Sequence, residues 1–206
     1  PSEMCIRDRG VLDMDWHITK IPERFGSGWT GYSWNRELIP EPEKLLKKLH
    51  DKKLKLSLNV HPADGIRAYE DAYPAVAKRL GLDAASEEAA IFDIADPRFR
   101  ESYFKDVHYP LEEQGVDFWW IDWQQGTQGV QDPLWLLNHY HYVDNCKRKD
   151  GGLILSRYAG PGSHRYPVGF SGDAFITWES LKFQPYFTST ASNICLLYTS
   201  LMARGR

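Results

Sequence analysis

Gly115-Val-Asp-Phe-Trp-Trp-Ile-Asp122 is a short, strongly apolar run that closes on a carboxylate, with Trp123 next in the chain. Aromatic and β-branched residues in a run of this length read as a buried strand. Similar runs lie on either side of it. Upstream are Lys55-Leu-Ser-Leu-Asn-Val60 and Gly10-Val-Leu-Asp-Met-Asp-Trp-His17; downstream are Gly152-Leu-Ile-Leu-Ser-Arg157 and a short stretch over Val168–Asp173. Helical patterns separate them. Pro40-Glu-Pro-Glu43 opens one helix, with Leu45, Leu46 and Leu49 on one face. A second runs from Ala68 to Leu80 with an interruption near Pro74, and a third from Pro97 to Gln114. A fourth starts at Asp132-Pro133, where Asp132 is placed to cap it, and runs to about Lys149. Apolar strands alternating with helices predict a parallel sheet. Five such units fit part of a (β/α)8 barrel.

Each strand ends on polar residues: Asp15, Asn59 with His61, Asp122, Arg157 and Asp173. In a barrel of this kind the C-terminal ends of the strands build the active site. The pattern therefore predicts that these groups converge on one mouth. Asp13 and Asp15, two apart, would share a face if both lay in a strand, with Asp15 the better ligand and Asp13 structural.

The two ends of the chain differ from the middle. Residues 1–8 can be encoded by CCATCAGAGATGTGTATAAGAGACAG, whose reverse complement encodes Cys-Leu-Leu-Tyr-Thr-Ser-Leu-Met, the sequence from Cys195 to Met202. One DNA word read in both directions accounts for both ends, and it resembles a transposon-type sequencing adapter. The expected organisation is 1–9 and 195–206 as adapter-like artefact, flanking a partial barrel domain over 10–194.

The 206 residues carry a net charge of -3, which leaves no basic footprint for nucleic acid. No apolar stretch is long enough to span a membrane. Three cysteines cannot form a disulfide scaffold. Aromatic residues make up 14% of the chain and include eight tryptophans. Tryptophan is the usual platform for the flat apolar face of a sugar. Two carboxylates on separate strand ends among tryptophans suggest glycoside chemistry, one attacking or stabilising the anomeric centre and one protonating the leaving oxygen. The proton donor would need its acidity weakened by burial or by its partner's charge.

Three other patterns carry no site. Gly26-x-Gly28-x-x-Gly31 resembles a dinucleotide loop, but no helix opens there. Gly169-Phe-Ser-Gly-Asp173 lacks the spacing of a nucleophile elbow. His139 and His141 do not face each other on a helix, and no metal site or cofactor is expected.

Leu12-Asp-Met-Asp-Trp16, Trp120-Ile-Asp-Trp123, and Arg157 with Tyr166 and Phe170-Ser-Gly-Asp173 together resemble the catalytic barrel of glycoside hydrolase family 31, a family of α-glucosidases and α-xylosidases. The resemblance runs through nearly all of 10–194 and implies a partial TIM barrel, roughly strands 2 to 6. It implies a retaining mechanism with Asp122 as nucleophile and Asp173 as acid/base. Arg157, Asp15 and Trp120 fall at substrate-binding positions, and Trp16, Asn59 and His61 are expected to bind substrate with them. Asn59 stands where relatives often carry tryptophan, and Gln124-Gln125 follow Trp123 where Asn-Glu is commoner; both bear on sugar preference. The implied function is an exo-acting α-glucosidase on α-glycosides or oligosaccharides. The alternatives are an α-xylosidase or another α-glycosidase, or a carbohydrate-binding barrel without catalysis. The 206-residue chain by itself is expected to be inactive.

Overall fold

A computed structural model describes residues 9–26, 31–123, 132–148, 152–157, 162–166, 168–192 and 200–201. Strands β1 (Arg9–Leu12), β2 (Lys55–Val60), β3 (Phe118–Ile121) and β4 (Ile154–Ser156) form one parallel sheet in chain order. Leu155 makes a further parallel bridge to Val168, which leads into β5 (Gly169–Phe170). β5 in turn pairs in parallel with β6 (Ser200–Leu201). Parallel neighbours need crossovers, and helices supply them. Helix α1 (Pro42–His50) joins β1 to β2, and α5 (Pro133–Arg148) joins β3 to β4. Between β2 and β3 come α2 (Tyr73–Leu80) and one helical stretch built of α3 (Pro97–Ser102), a π-helical segment over Tyr103–His108 and α4 (Tyr109–Glu113). Helix α6 (Trp178–Ser192) follows β5.

Parallel strands covered by helices read as the near-continuous apolar runs seen in the sequence. Their period-2 alternation divides the core in two. Leu56, Leu58, Val60, Trp119, Ile121 and Ile154 pack with the helices, against Leu46, Val76, Leu111 and Leu137. Phe118, Trp120, Leu155 and Val168 form a second cluster with Val11, Leu153 and Phe170, on the other face of the sheet. That second face is the interior of the barrel.

The local rules hold at most helix ends. Pro42 stands at the start of α1, and the Asp132 carboxylate accepts from the backbone N–H of Leu134 at 3.0 Å. Two expectations need correction. Pro74 lies in the first turn of α2, where its missing N–H costs nothing, so it starts that helix and does not interrupt one. The first strand stops at Leu12, and Met14–Trp16 is a 3-10 turn. Asp13 and Asp15 therefore share no strand face, and both are exposed. Gly65 has φ +71°, and a Cβ there would meet the Ala90 carbonyl oxygen at 2.0 Å. The chain after β2 is closed against the Ile66–Ala90 bridge in a way only glycine permits.

Gly28, Gln124, Gln125 and most of the two expected adapter segments lie outside the described residues. Arg9 opens β1, and Ser200–Leu201 is β6.

Candidate active site

The C-terminal ends of successive parallel strands carry His61, Asp122, Arg157 and Asp173, and the fold brings their side chains together. Asp122 follows β3, and its backbone N–H donates to the Val60 carbonyl at 3.0 Å, so the ladder itself positions the residue. Its side chain is 8% exposed. Arg157, just after β4, grips it with two nitrogens: Nε lies 2.7 Å from Oδ1 and Nη2 3.0 Å from Oδ2. A planar guanidinium matches a carboxylate in this fork geometry. On the other side, His61 Nε2 lies 3.4 Å from Oδ2.

These contacts fix the charge. Burial pushes the Asp122 carboxyl up, but the hydrogen bond from His61 and the hydrogen bonds and charge of Arg157 outweigh it and hold it at about 2. Asp122 is thus an ionised carboxylate at the floor of the strand ends. The same pairing raises Arg157 above the ordinary arginine value.

Asp173 reaches the cluster through the same guanidinium, with Oδ2 3.3 Å from both Nη1 and Nη2 of Arg157. Nη2 contacts both acids, so their nearest oxygens lie no farther apart than those two bonds laid end to end. Asp173 is 73% exposed at its side chain.

Trp120 is two residues before Asp122 and shares its face. It packs edge-on against Phe170 at 4.9 Å, and the Arg157 guanidinium carbon lies 6.0 Å from its ring centre and 5.0 Å from that of Phe170. Phe170 was not among the expected site residues; its position three residues before Asp173 was the available signal. Asn59 pairs in register with Trp120 and faces the same interior side, 1% exposed.

The other tryptophans correct the expectation. Trp16 is 1% exposed; its Nε1–H donates to the Asn59 carbonyl at 2.7 Å, and its ring packs on Trp34 at 5.0 Å. It braces the strand end from within the core and presents no open face to a sugar. Trp119 spends its Nε1–H on Glu112, and Trp123 packs on Phe92 at 4.9 Å, both in the helix-facing core. Alternation along β3 puts residues 119, 121 and 123 on the opposite side from 120 and 122. Asp15 is exposed in the turn after β1 and makes no hydrogen bond to Asp122 among the described residues. His139 stacks on Trp135 while His141 Nε2 meets the buried Tyr103 hydroxyl at 3.0 Å, so the two histidines face different surroundings.

Fold and strand-end chemistry together define a segment of a TIM-barrel domain. The chain belongs to glycoside hydrolase family 31: it matches the family's description, "Glycosyl hydrolases family 31 TIM-barrel domain", over residues 7–200. Among solved structures it is similar to a GH31 α-xylosidase from Xanthomonas citri, with 17% identity and a TM-score of 0.68 over 96% of this chain and 24% of that one. It is also similar to a GH31 sulfoquinovosidase from E. rectale, with 17% identity and a TM-score of 0.55 over 81% and 29%. A GH31 dextranase from Flavobacterium johnsoniae aligns with 17% identity and a TM-score of 0.53 over 86% and 26%. The chain thus spans between 24% and 29% of the length of these three proteins.

Proposed function

We propose that this chain is the central part of the catalytic barrel of a retaining α-glycoside hydrolase, with α-glucosides as the substrate class. The observation that carries the reading is the pair of carboxylates after β3 and β5, one buried and ionised and one exposed, held on the single guanidinium that follows β4 between them. Asp122 attacks the anomeric carbon from the face opposite the leaving group and forms a β-glycosyl ester. Asp173 gives its proton to the departing glycosidic oxygen, so the bond to the aglycone breaks as the bond to Asp122 forms. It then takes a proton from water, which attacks the same carbon and frees Asp122. Arg157 stabilises the ionised nucleophile between turnovers, and Trp120 lines the sugar subsite. Asp15 binds sugar hydroxyls from the turn after β1. Residues 1–9 and 195–206 are proposed to be foreign to the native domain.

The test uses the complete protein that carries this segment. Asp122→Asn should lower turnover of an aryl α-glucoside by at least roughly a thousandfold. Azide should then rescue it with formation of a glycosyl azide. Unchanged turnover would sink the nucleophile assignment. Faster turnover of an aryl α-xyloside than of the glucoside would move the substrate class to the α-xylosides.

A further inference from the structure

Behind β3, on the side away from Asp122, lie two histidines that the proposed chemistry does not use. His108 comes from the π-helical segment and is 0% exposed; His141 comes from α5 and is 3% exposed. Their ring centres are 4.9 Å apart, across the seam between the two helical layers. Aromatic rings wall them in: Tyr103 at 4.1 Å and Trp119 at 4.4 Å from His108, and Phe104 at 4.9 Å from His141. His108 Nδ1 lies 2.7 Å from the Tyr103 carbonyl, which can only accept, so Nδ1 carries the hydrogen. Nε2 of the neutral ring is then a lone pair, and it has no hydrogen-bond partner among the described residues. His141 Nε2 meets the Tyr103 hydroxyl at 3.0 Å.

The surroundings are hostile to a second proton. Tyr103 on the same helical stretch and Tyr32 from the chain before α1 are phenols that burial keeps neutral, and Glu70 stands beyond Tyr32. Glu112 of α4 is engaged by Trp119 Nε1–H at 2.8 Å and by Arg148 of α5 at 2.8 Å. Burial, joined by the Arg148 charge, outweighs the bond to the Tyr103 carbonyl and holds His108 at about 3; burial and His108 hold His141 well below the ordinary histidine value. On the outside of the same seam runs a groove of about 310 Å³, lined by Arg100, Phe104 and Tyr109 on one side and Tyr140 and Asp144 on the other. Phe104 lines this groove and also packs on His141, so its ring stands between solvent and the pair. It belongs to the π-helical segment, a rare backbone form that recurs at functional sites.

We propose that the His108–His141 pair is an acid-operated latch: uncharged, the two rings close the seam between the α3–α4 stretch and α5, and protonation opens it past Phe104 and uncovers the back of β3. The latch is independent of the glycosidase reading. Once the seam opens, both imidazoles meet water and take up protons near the free value of roughly 6.5, whereas the closed form stays neutral far below it. The seam is therefore most stable above pH ~6.5 and weakens as pH falls from there toward 3. Each histidine favours the open form by up to roughly tenfold per pH unit.

The test is hydrogen exchange in the complete protein that carries this segment, between pH 6.5 and 5, above the carboxylate range and corrected for the intrinsic pH dependence of exchange. In the wild type the opening equilibrium of 97–113 and 133–148 should rise by a factor approaching 100 per pH unit, while 55–60 and 118–121 hold their protection. His108→Asn keeps an N–H for the Tyr103 carbonyl, and His141→Gln keeps a partner for the Tyr103 hydroxyl, but neither takes a proton. Each substitution should remove about tenfold per pH unit, and the two together should leave the opening nearly independent of pH. Unaltered pH dependence in the double variant would overturn the latch. The wild-type profile decides alone if a variant fails to fold: opening that does not change with pH, or equal loss of protection in the strands, also overturns it.

Discussion

Arg157 holds the site together at the scale of single residues. It carries two hydrogen bonds to a carboxylate that is almost out of water, opposite the His61 contact, and removing it would strip that buried charge of its guanidinium. Arg157→Met should destabilise the protein by about 2 kcal/mol, less than a fully buried pair because Arg157 is itself 22% exposed. The pH effect has a definite sign. Asp122 titrates at about 2 when folded, below the roughly 3.9 of a free aspartate, so its contribution is present above pH ~4 and fades as pH falls through 2. Without the guanidinium, burial prevails and the acid limb of activity and stability should move toward neutral pH. Stability-versus-pH curves of the two proteins that superimpose would show that Arg157 does not set the Asp122 charge. The identities of these residues were legible from sequence, since they stand at strand ends. Their mutual contacts were not, since those join positions 61, 122, 157 and 173, which lie far apart along the chain.

Among the elements, the turn after β1 and the chain before α2 are coupled through Glu70. Its Oε2 accepts from the Tyr32 backbone N–H at 3.1 Å and from the Ser33 hydroxyl at 2.6 Å. Ser33 and Asn35 in turn pair with Ile18 and Trp16, so Glu70 clamps the segment that bears Asp15. Burial pushes the Glu70 carboxyl up to about 7, against the hydrogen bonds from Ser33 and Tyr32. A carboxyl raised on folding gives stability that is full below the unfolded value of roughly 4.3 and declines as pH rises toward 7. Glu70→Gln keeps the acceptor and removes the titration. Its Tm should draw ahead of the wild type between pH 5 and pH 8, by the equivalent of roughly 2 kcal/mol at the upper end. A Tm difference independent of pH would refute an ionising clamp. Nothing in the sequence around Glu70 marked it, because its burial comes from segments far along the chain. Pro74 shows the converse: the residue was visible, but whether it starts or breaks a helix depends on where the preceding turn ends.

For the molecule as a whole, the described chain exposes a run of large apolar side chains around α6. Phe175, Ile176 and Trp178 are between 77% and 81% exposed, and Leu181 and Tyr186 are 55% and 67% exposed. Contiguous apolar surface of this kind drives association in water. The 206-residue chain, purified by itself, should elute from a sizing column as mixed oligomers and release no detectable sugar from aryl α-glycosides. A monodisperse monomer with measurable hydrolysis would contradict this.

The sequence by itself determined the parallel α/β architecture, the barrel segment and the polar strand ends, because these depend on local alternation and on residues adjacent in the chain. Period-2 alternation also contained the sorting of the tryptophans, with Trp120 on the face of Asp122 and Trp119 and Trp123 behind it. Only the tertiary structure decided that Trp16 is a buried brace, that Arg157 joins two acids, and that Asn59 is enclosed. Burial and pairing are set by contacts between segments distant in the chain, and no local pattern encodes which of them meet.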